Sequence, residues 1–236
     1  MFQARAQHRS IPGAVATVGV NERGAFLRRT YAHLAVALLG FVAVSYAFQQ
    51  TAFAPRFTYW AFGPGSGFNW LFVILAFIGV GKLTDRLARS DTSVGLQYLG
   101  LVIGVVAEGV IVTPLLFMAV SFYPQDPYLI HKAALFTLII FVGLTGTVFL
   151  TRKDFSFLRG ILSVATLGAL GIIVASIIFG FTLGTIFCVA MIVLMGAYVL
   201  YQTSLLMAYF RPTQHVAAEL MLFSTIATMF WYVLRL

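Results

Sequence analysis

From residue 30 onward the chain is a succession of long apolar runs broken by short polar, often basic, interruptions. The runs lie at about 30–49, 68–84, 95–122, 130–150, 160–181, 184–210 and 216–235. A helix needs about 20 mostly apolar residues to cross the hydrocarbon of a bilayer, with a range of about 17–25. The third and sixth runs are long enough to tilt or to project beyond the bilayer. The second is short and ends in Gly79-Val80-Gly81 before Lys82. No stretch alternates apolar and polar residues as a membrane β-strand does, and within lipid only a helix or a closed barrel satisfies its own backbone. The pattern therefore predicts an all-α integral membrane protein with a seven-transmembrane-helix bundle. Residues 29–236 form its single transmembrane domain, and residues 1–28, polar and rich in Gly and Ala, form a flexible basic tail.

Composition excludes a large soluble core as the explanation. The chain is 61% hydrophobic and 9% charged, whereas a soluble domain carries roughly 25% charged residues. Its apolar residues must face lipid. The net charge of +8 does not point to nucleic acid, because the basic residues stand singly between apolar runs and form no basic domain surface.

Their distribution instead predicts orientation. The tail and the even-numbered connections hold Arg5, Arg9, Arg23, Arg28, Arg29, Lys82, Arg86, Arg89, Arg152, Lys153, Arg159 and Arg211. The other side has Arg56, Lys132 and Arg235, so twelve of the 15 basic residues fall on one side. Short inner loops carry the excess of Lys and Arg, which places the N-terminus in the cytoplasm and the C-terminus outside, in a multi-pass protein of the cell (inner) membrane. Losing one span would scramble this alternation.

Several features read as structure. Cys188 is the one cysteine and lies in an apolar run, so it builds no disulfide and no zinc site. Ala52-Phe53-Ala54 resembles a cleavage site, but the cytoplasmic segment before the first run is long and Pro55 follows directly. Gly63-Pro64-Gly65-Ser66-Gly67 follows no strand and reads as a turn, not a phosphate loop. The pairs Gly100/Gly104 and Gly180/Gly184 have the small-xxx-small spacing of helix packing. Trp60, Trp70, Trp231 and Tyr232 lie near span ends and fit an interfacial belt.

Intramembrane catalysis needs residues that the runs do not offer. A Schiff-base lysine must lie deep in a span, yet Lys82, Lys132 and Lys153 lie at span ends. His8, His33, His131 and His215 form no HExxH zinc motif, and none lies deep enough to serve a buried serine. Asp85, Asp91, Asp126 and Asp154 occupy loops or span edges, so no intramembrane aspartate pair exists. The chain is accordingly read as a non-enzyme with no cofactor.

Ionisable residues within the membrane are costly and count as functional candidates. Glu108 lies about 14 residues into the third run, roughly 20 Å along a helix axis and near the midplane. Pro114 cannot donate to the carbonyl of Val110. A carboxylate and a freed carbonyl about half a turn apart could coordinate a cation or a proton-carrying water, with Gly104 and Gly109 admitting a neighbouring helix. The alternative is a structural, hydrogen-bonded glutamate beside a packing kink. Glu219 lies one turn into the last run, four residues after His215, which suggests an i,i+4 pair at the cytoplasmic edge.

Four stretches, in order and compatibly spaced from residue 29 to the end, resemble the Bax inhibitor-1 family. They are Arg29-Thr30-Tyr31-Ala32; Glu108-Gly109-Val110-Ile111-Val112-Thr113-Pro114-Leu115-Leu116; Phe149 to Leu158, reading FLTRKDFSFL; and Tyr201-Gln202-Thr203-Ser204 with the ending Phe230-Trp231-Tyr232-Val233-Leu234-Arg235. The resemblance implies a bundle whose central C-terminal helix is wrapped by the other six. It also implies a pH-gated calcium leak, suppression of cell death in eukaryotes, and in bacteria regulation of a membrane-bound protease. In the family, two aspartates sharing a proton close the pore; here those positions are Gln202 and, counting back from Arg235, Thr225. Two carboxylates in contact titrate as a coupled pair, whereas an amide and a hydroxyl can only hydrogen-bond. The expected function is a slow cation (calcium) leak with altered or absent aspartate-pair gating. The alternative is a non-transporting regulatory partner of another membrane protein, such as a protease. The expected partners are the lipid bilayer and, on that alternative, a membrane protein.

Overall fold

The computed structural model describes residues 11–236 apart from 12, 65, 67, 91, 92 and 152. Arg5, His8, Arg9, Asp91 and Arg152, and the expected flexibility of residues 1–10, lie outside the described residues. Among the described residues there are eight α-helices and no strand. A short 3-10 turn, Val15–Thr17, precedes them. The helices are α1 (Val20–Gln49), α2 (Phe53–Phe62), α3 (Asn69–Ala88), α4 (Val94–Phe122), α5 (Leu129–Thr151), α6 (Leu158–Phe179), α7 (Thr185–Tyr209) and α8 (His215–Arg235).

Six of these, α1 and α4–α8, are long and apolar enough to cross a membrane. The second expected span does form a helix, α3, but the seven-span count is not reached on length and apolarity alone. Lys82, Asp85 and Arg86 fall in the last two turns of α3 and leave too short an uncharged stretch.

The tail is shorter than the pattern predicts, because α1 begins at Val20 instead of near residue 29. Ahead of it the chain is docked. Ile11 N donates to Ala208 O at 3.1 Å and Val15 N to Phe210 O at 2.9 Å, tying residues 11–15 to the end of α7. Ala14 and Val15 are fully buried there.

The connection after α1 contains a helix that hydropathy does not reveal. Pro55 sits in the first turn of α2, where a missing N–H costs nothing. Ala54, Thr58 and Ala61 bury one face of α2, which packs against α4. Phe53, Phe57 and Trp60 stack along another face at centroid distances of 5.1 and 5.9 Å.

Helix α8 is the core of the bundle. In its most apolar stretch 72% of residues are buried, against 11% for α6, and it packs against α1, α3, α4, α5 and α7. Close approach is made at glycines. A Cβ on Gly104 would lie 2.7 Å from Leu220 Cδ1 of α8, and one on Gly109 would lie 2.8 Å from Val44 Cγ1 of α1. Gly180 and Gly184 play another part. Gly180 has φ +73° and ends α6 in the left-handed conformation, and Gly184 precedes α7, so this pair terminates helices and packs none. Trp70 and Trp231 stack on each other at 5.4 Å.

Candidate functional site

Glu108 is the middle residue of α4 and is buried. Its Oε1 accepts a hydrogen bond from Ser224 Oγ of α8 at 2.7 Å, and Thr228 Oγ1, one turn further, donates to Ser224 O at 2.9 Å. Two cavities meet at this point. The inner one, about 260 Å³, is bounded by the second half of α3 (Phe77 to Asp85), by Gly104 to Glu108 of α4, by Gln202 of α7 and by Leu220 to Thr225 of α8. The second, about 650 Å³, continues along the same helices, from Phe77 back to Trp70, from Glu108 to Val112 and from Ala227 to Arg235, and is closed by α6 and α7. Glu108 and Phe77 line both. The cavities follow one another along the bundle axis, with Asp85 in one end and Arg235 in the other. A carboxylate and an aromatic ring stand between them.

Val110 and Pro114, expected to join Glu108 in coordinating a cation, line neither cavity, whereas Glu108 lines both. Beside the proline, side chains bond the backbone at other carbonyls: Thr113 Oγ1 donates to Gly109 O at 2.7 Å, and Gln49 Nε2 of α1 donates to Thr113 O at 3.0 Å.

Gln202 and Thr225 face one another across α7 and α8. Thr225 Oγ1 donates to Gln202 Oε1 at 2.9 Å and also to Met221 O at 3.2 Å. Both residues line the inner cavity, as does Glu108. Glu108 and the Gln202–Thr225 pair therefore border one space.

The expected pairing of His215 with Glu219 is absent. Glu219 is fully buried, both its carboxylate oxygens lack a hydrogen-bond partner, and so does His215 Nδ1. His215 turns instead to His33 of α1, with ring centroids 4.9 Å apart, and His33 Nε2 lies 2.7 Å from Tyr98 OH. The cause is the depth of α8: its first turn lies inside the bundle, not at a wet edge, so Glu219 sits among neighbours of α1. Phe223, one turn further along the same stripe, packs on Phe41 of α1.

Ser224 and Arg235 join the site without a motif to mark them. The sequence carries a signal for Ser224, since Ser224, Thr225 and Thr228 are hydroxyl-bearing positions clustered in an otherwise apolar helix. Among the described residues no group of three or more His, Cys, Asp or Glu is placed to hold a metal ion.

The family description "Inhibitor of apoptosis-promoting Bax1" matches residues 23–236. An uncharacterized protein of Pseudomonas aeruginosa is 29% identical over 216 residues, covering 89% of this chain and 87% of its own. No solved structure matches the chain.

Proposed function

Because the chain belongs to the Bax inhibitor-1 family, we propose that it is a slow cation leak, with calcium as the ion the family resemblance implies. The observation that supports this is the pair of cavities that follow one another through the bundle and meet at Glu108. A cation moving along them passes Asp85 at one end and meets Glu108 where the two cavities join, with Ser224 as its hydrogen-bonded neighbour. Gln202 and Thr225 cannot take up or release a proton, so gating through the usual aspartate pair is lost and Glu108 is the carboxyl at the junction left to respond to charge. Helix α3 is part of this reading. It spans the bilayer as the seventh crossing, packed against α4 and α8, and its Lys82, Asp85 and Arg86 lie at the cytoplasmic face. With seven crossings the basic residues alternate as the positive-inside bias requires. The N-terminus then lies in the cytoplasm and the C-terminus outside, in the inner membrane.

The test is calcium flux in liposomes holding wild type or Glu108→Gln, from about pH 6 to 8. The variant is expected to reduce flux about tenfold, which corresponds to about 1.4 kcal/mol at the barrier. Identical flux and pH dependence would remove Glu108 from the mechanism. No flux from either protein, with one stoichiometric membrane partner recovered in mild detergent, would favour the regulatory reading.

A further inference from the structure

The larger cavity has a character that a calcium route alone does not explain. It is about 650 Å³, within the roughly 300–1,000 Å³ typical of small-molecule sites. Its walls are aromatic and aliphatic, including Phe62, Phe187 and the stacked pair Trp70 and Trp231 at 5.4 Å. Glu108 is the one acidic residue that lines it and lies at its inner end, where Ser224 holds one carboxylate oxygen. Calcium takes about 6–8 oxygen ligands. This floor offers one carboxylate, and no other acidic, histidine or cysteine side chain joins it in a metal-sized group among the described residues. One carboxyl at the inner end, with the stacked Trp70 and Trp231 toward the outer end, matches a different cation: monovalent, bulky and weakly hydrated, its charge at the carboxyl and its apolar body reaching the rings. Arg235, the one basic residue of the lining, stands at the outer end with its Nη2 directed to Leu183 O at 3.4 Å. On α8 it is seven residues beyond Thr228, about 10 Å along the axis. An exposed guanidinium at that distance is substantially screened, and it favours a cation seated deep over one held at the mouth.

We propose that this cavity binds lipophilic monovalent organic cations, with the charge at Glu108 and the apolar body between α3, α6 and α8, and that a bound cation occludes the route through the bundle. The assignment uses the same Glu108 as the leak reading and rests on it for the occlusion, so binding and flux are measured separately.

Tetraphenylphosphonium and tetraphenylborate, closely matched in size and opposite in charge, are the probes. Equilibrium dialysis against the purified full-length protein in detergent is expected to give saturable binding of one phosphonium per chain and none of the borate at the same concentration. Glu108→Gln weakens phosphonium binding at least about tenfold. Ile173→Trp, which fills the cavity from α6, abolishes it, while Leu150→Trp on an exposed face of α5 leaves it unchanged. Equal binding of both ions, or undiminished phosphonium binding by Glu108→Gln, overturns the proposal. If Glu108→Gln does not run as a monodisperse species, the sign selectivity and Ile173→Trp decide it, and retention in Ile173→Trp overturns it. In liposomes, phosphonium binding without any calcium flux would keep the site and discard the leak. Calcium flux with no phosphonium binding would discard the site and keep the leak.

Discussion

Ser224 and Glu108, 116 residues apart in sequence, are joined by a 2.7 Å hydrogen bond across the centre of the bundle. The bond ties α8 to α4 at the boundary between the two cavities, and it fixes the orientation of the one carboxylate that borders both. Ser224→Ala is expected to free that carboxylate and to raise flux severalfold. Side-chain hydrogen bonds within membrane bundles contribute about 0.6 kcal/mol on average and at most about 1.7, so the variant should lose stability in that range. Thermal unfolding in detergent and flux in liposomes check the two effects separately.

Gln202 and Thr225 are the positions that the family resemblance assigns to a proton-sharing aspartate pair. Replacing both, Gln202→Asp with Thr225→Asp, is expected to introduce a pH-dependent step in flux that wild type lacks, because two carboxylates at this separation titrate as a coupled pair. A flux profile of the double variant parallel to that of wild type across about pH 5–8 would show that these positions no longer touch the route.

Gly100 marks the tightest crossing of α3 and α4. A Cβ there would lie 2.8 Å from Thr84 O and 2.9 Å from Ala88 N, both backbone atoms that cannot turn aside. Gly100→Ala should therefore cost about 1–3 kcal/mol, the usual range for overpacking. Gly79→Ala in α3 has nothing within 4 Å of the added methyl and should be neutral or slightly stabilising, since alanine favours a helix. Comparing the two midpoints in one denaturant series tests the contact.

Asp126, in the connection between α4 and α5, is held below the usual carboxylate range, first by the hydrogen bond from Lys132 Nζ at 2.8 Å. A depressed folded value means that any contribution of this pair to stability is fully present above the ordinary carboxylate value. It disappears as pH falls through the depressed one. Lys132→Ala should move the titration of Asp126 upward, as read by NMR of its side chain, with no measurable change in unfolding at neutral pH, because the pair is solvent-exposed.

Much of this architecture is legible in the sequence, for a physical reason. Bilayer thickness imposes a length on every spanning helix, and the runs at 95–122 and 216–235 differ by only one residue from the start of α4 and α8. Helix α2 escapes that filter because ten residues are too few to span, although the spacing of Phe53, Phe57 and Trp60 carries a helical period. The start of α1 escapes it too, because Glu22, Arg23, Arg28 and Arg29 are polar yet helical beyond the apolar run. At the site, depth along one helix follows from counting, so Glu108 could be placed near the middle of α4. Which residue of another helix faces it depends on rotation about both axes. The hydrogen bond from Ser224 follows from that rotation, and counting along one chain does not contain it.

The burial of α8 has a consequence for how the protein is made. The helix that fills the centre of the bundle is the last of the described helices to leave the ribosome. Until it arrives, Glu108 waits without Ser224, Gln202 waits without Thr225, and Gly104 faces a groove without Leu220. The earlier helices must therefore enter the bilayer as a loose, partly polar assembly, and closure of the bundle is a late event that awaits α8. A nascent chain halted before His215 would hold these polar groups unpaired in the membrane, so the same helix that fills the bundle also sets when its polar groups are satisfied.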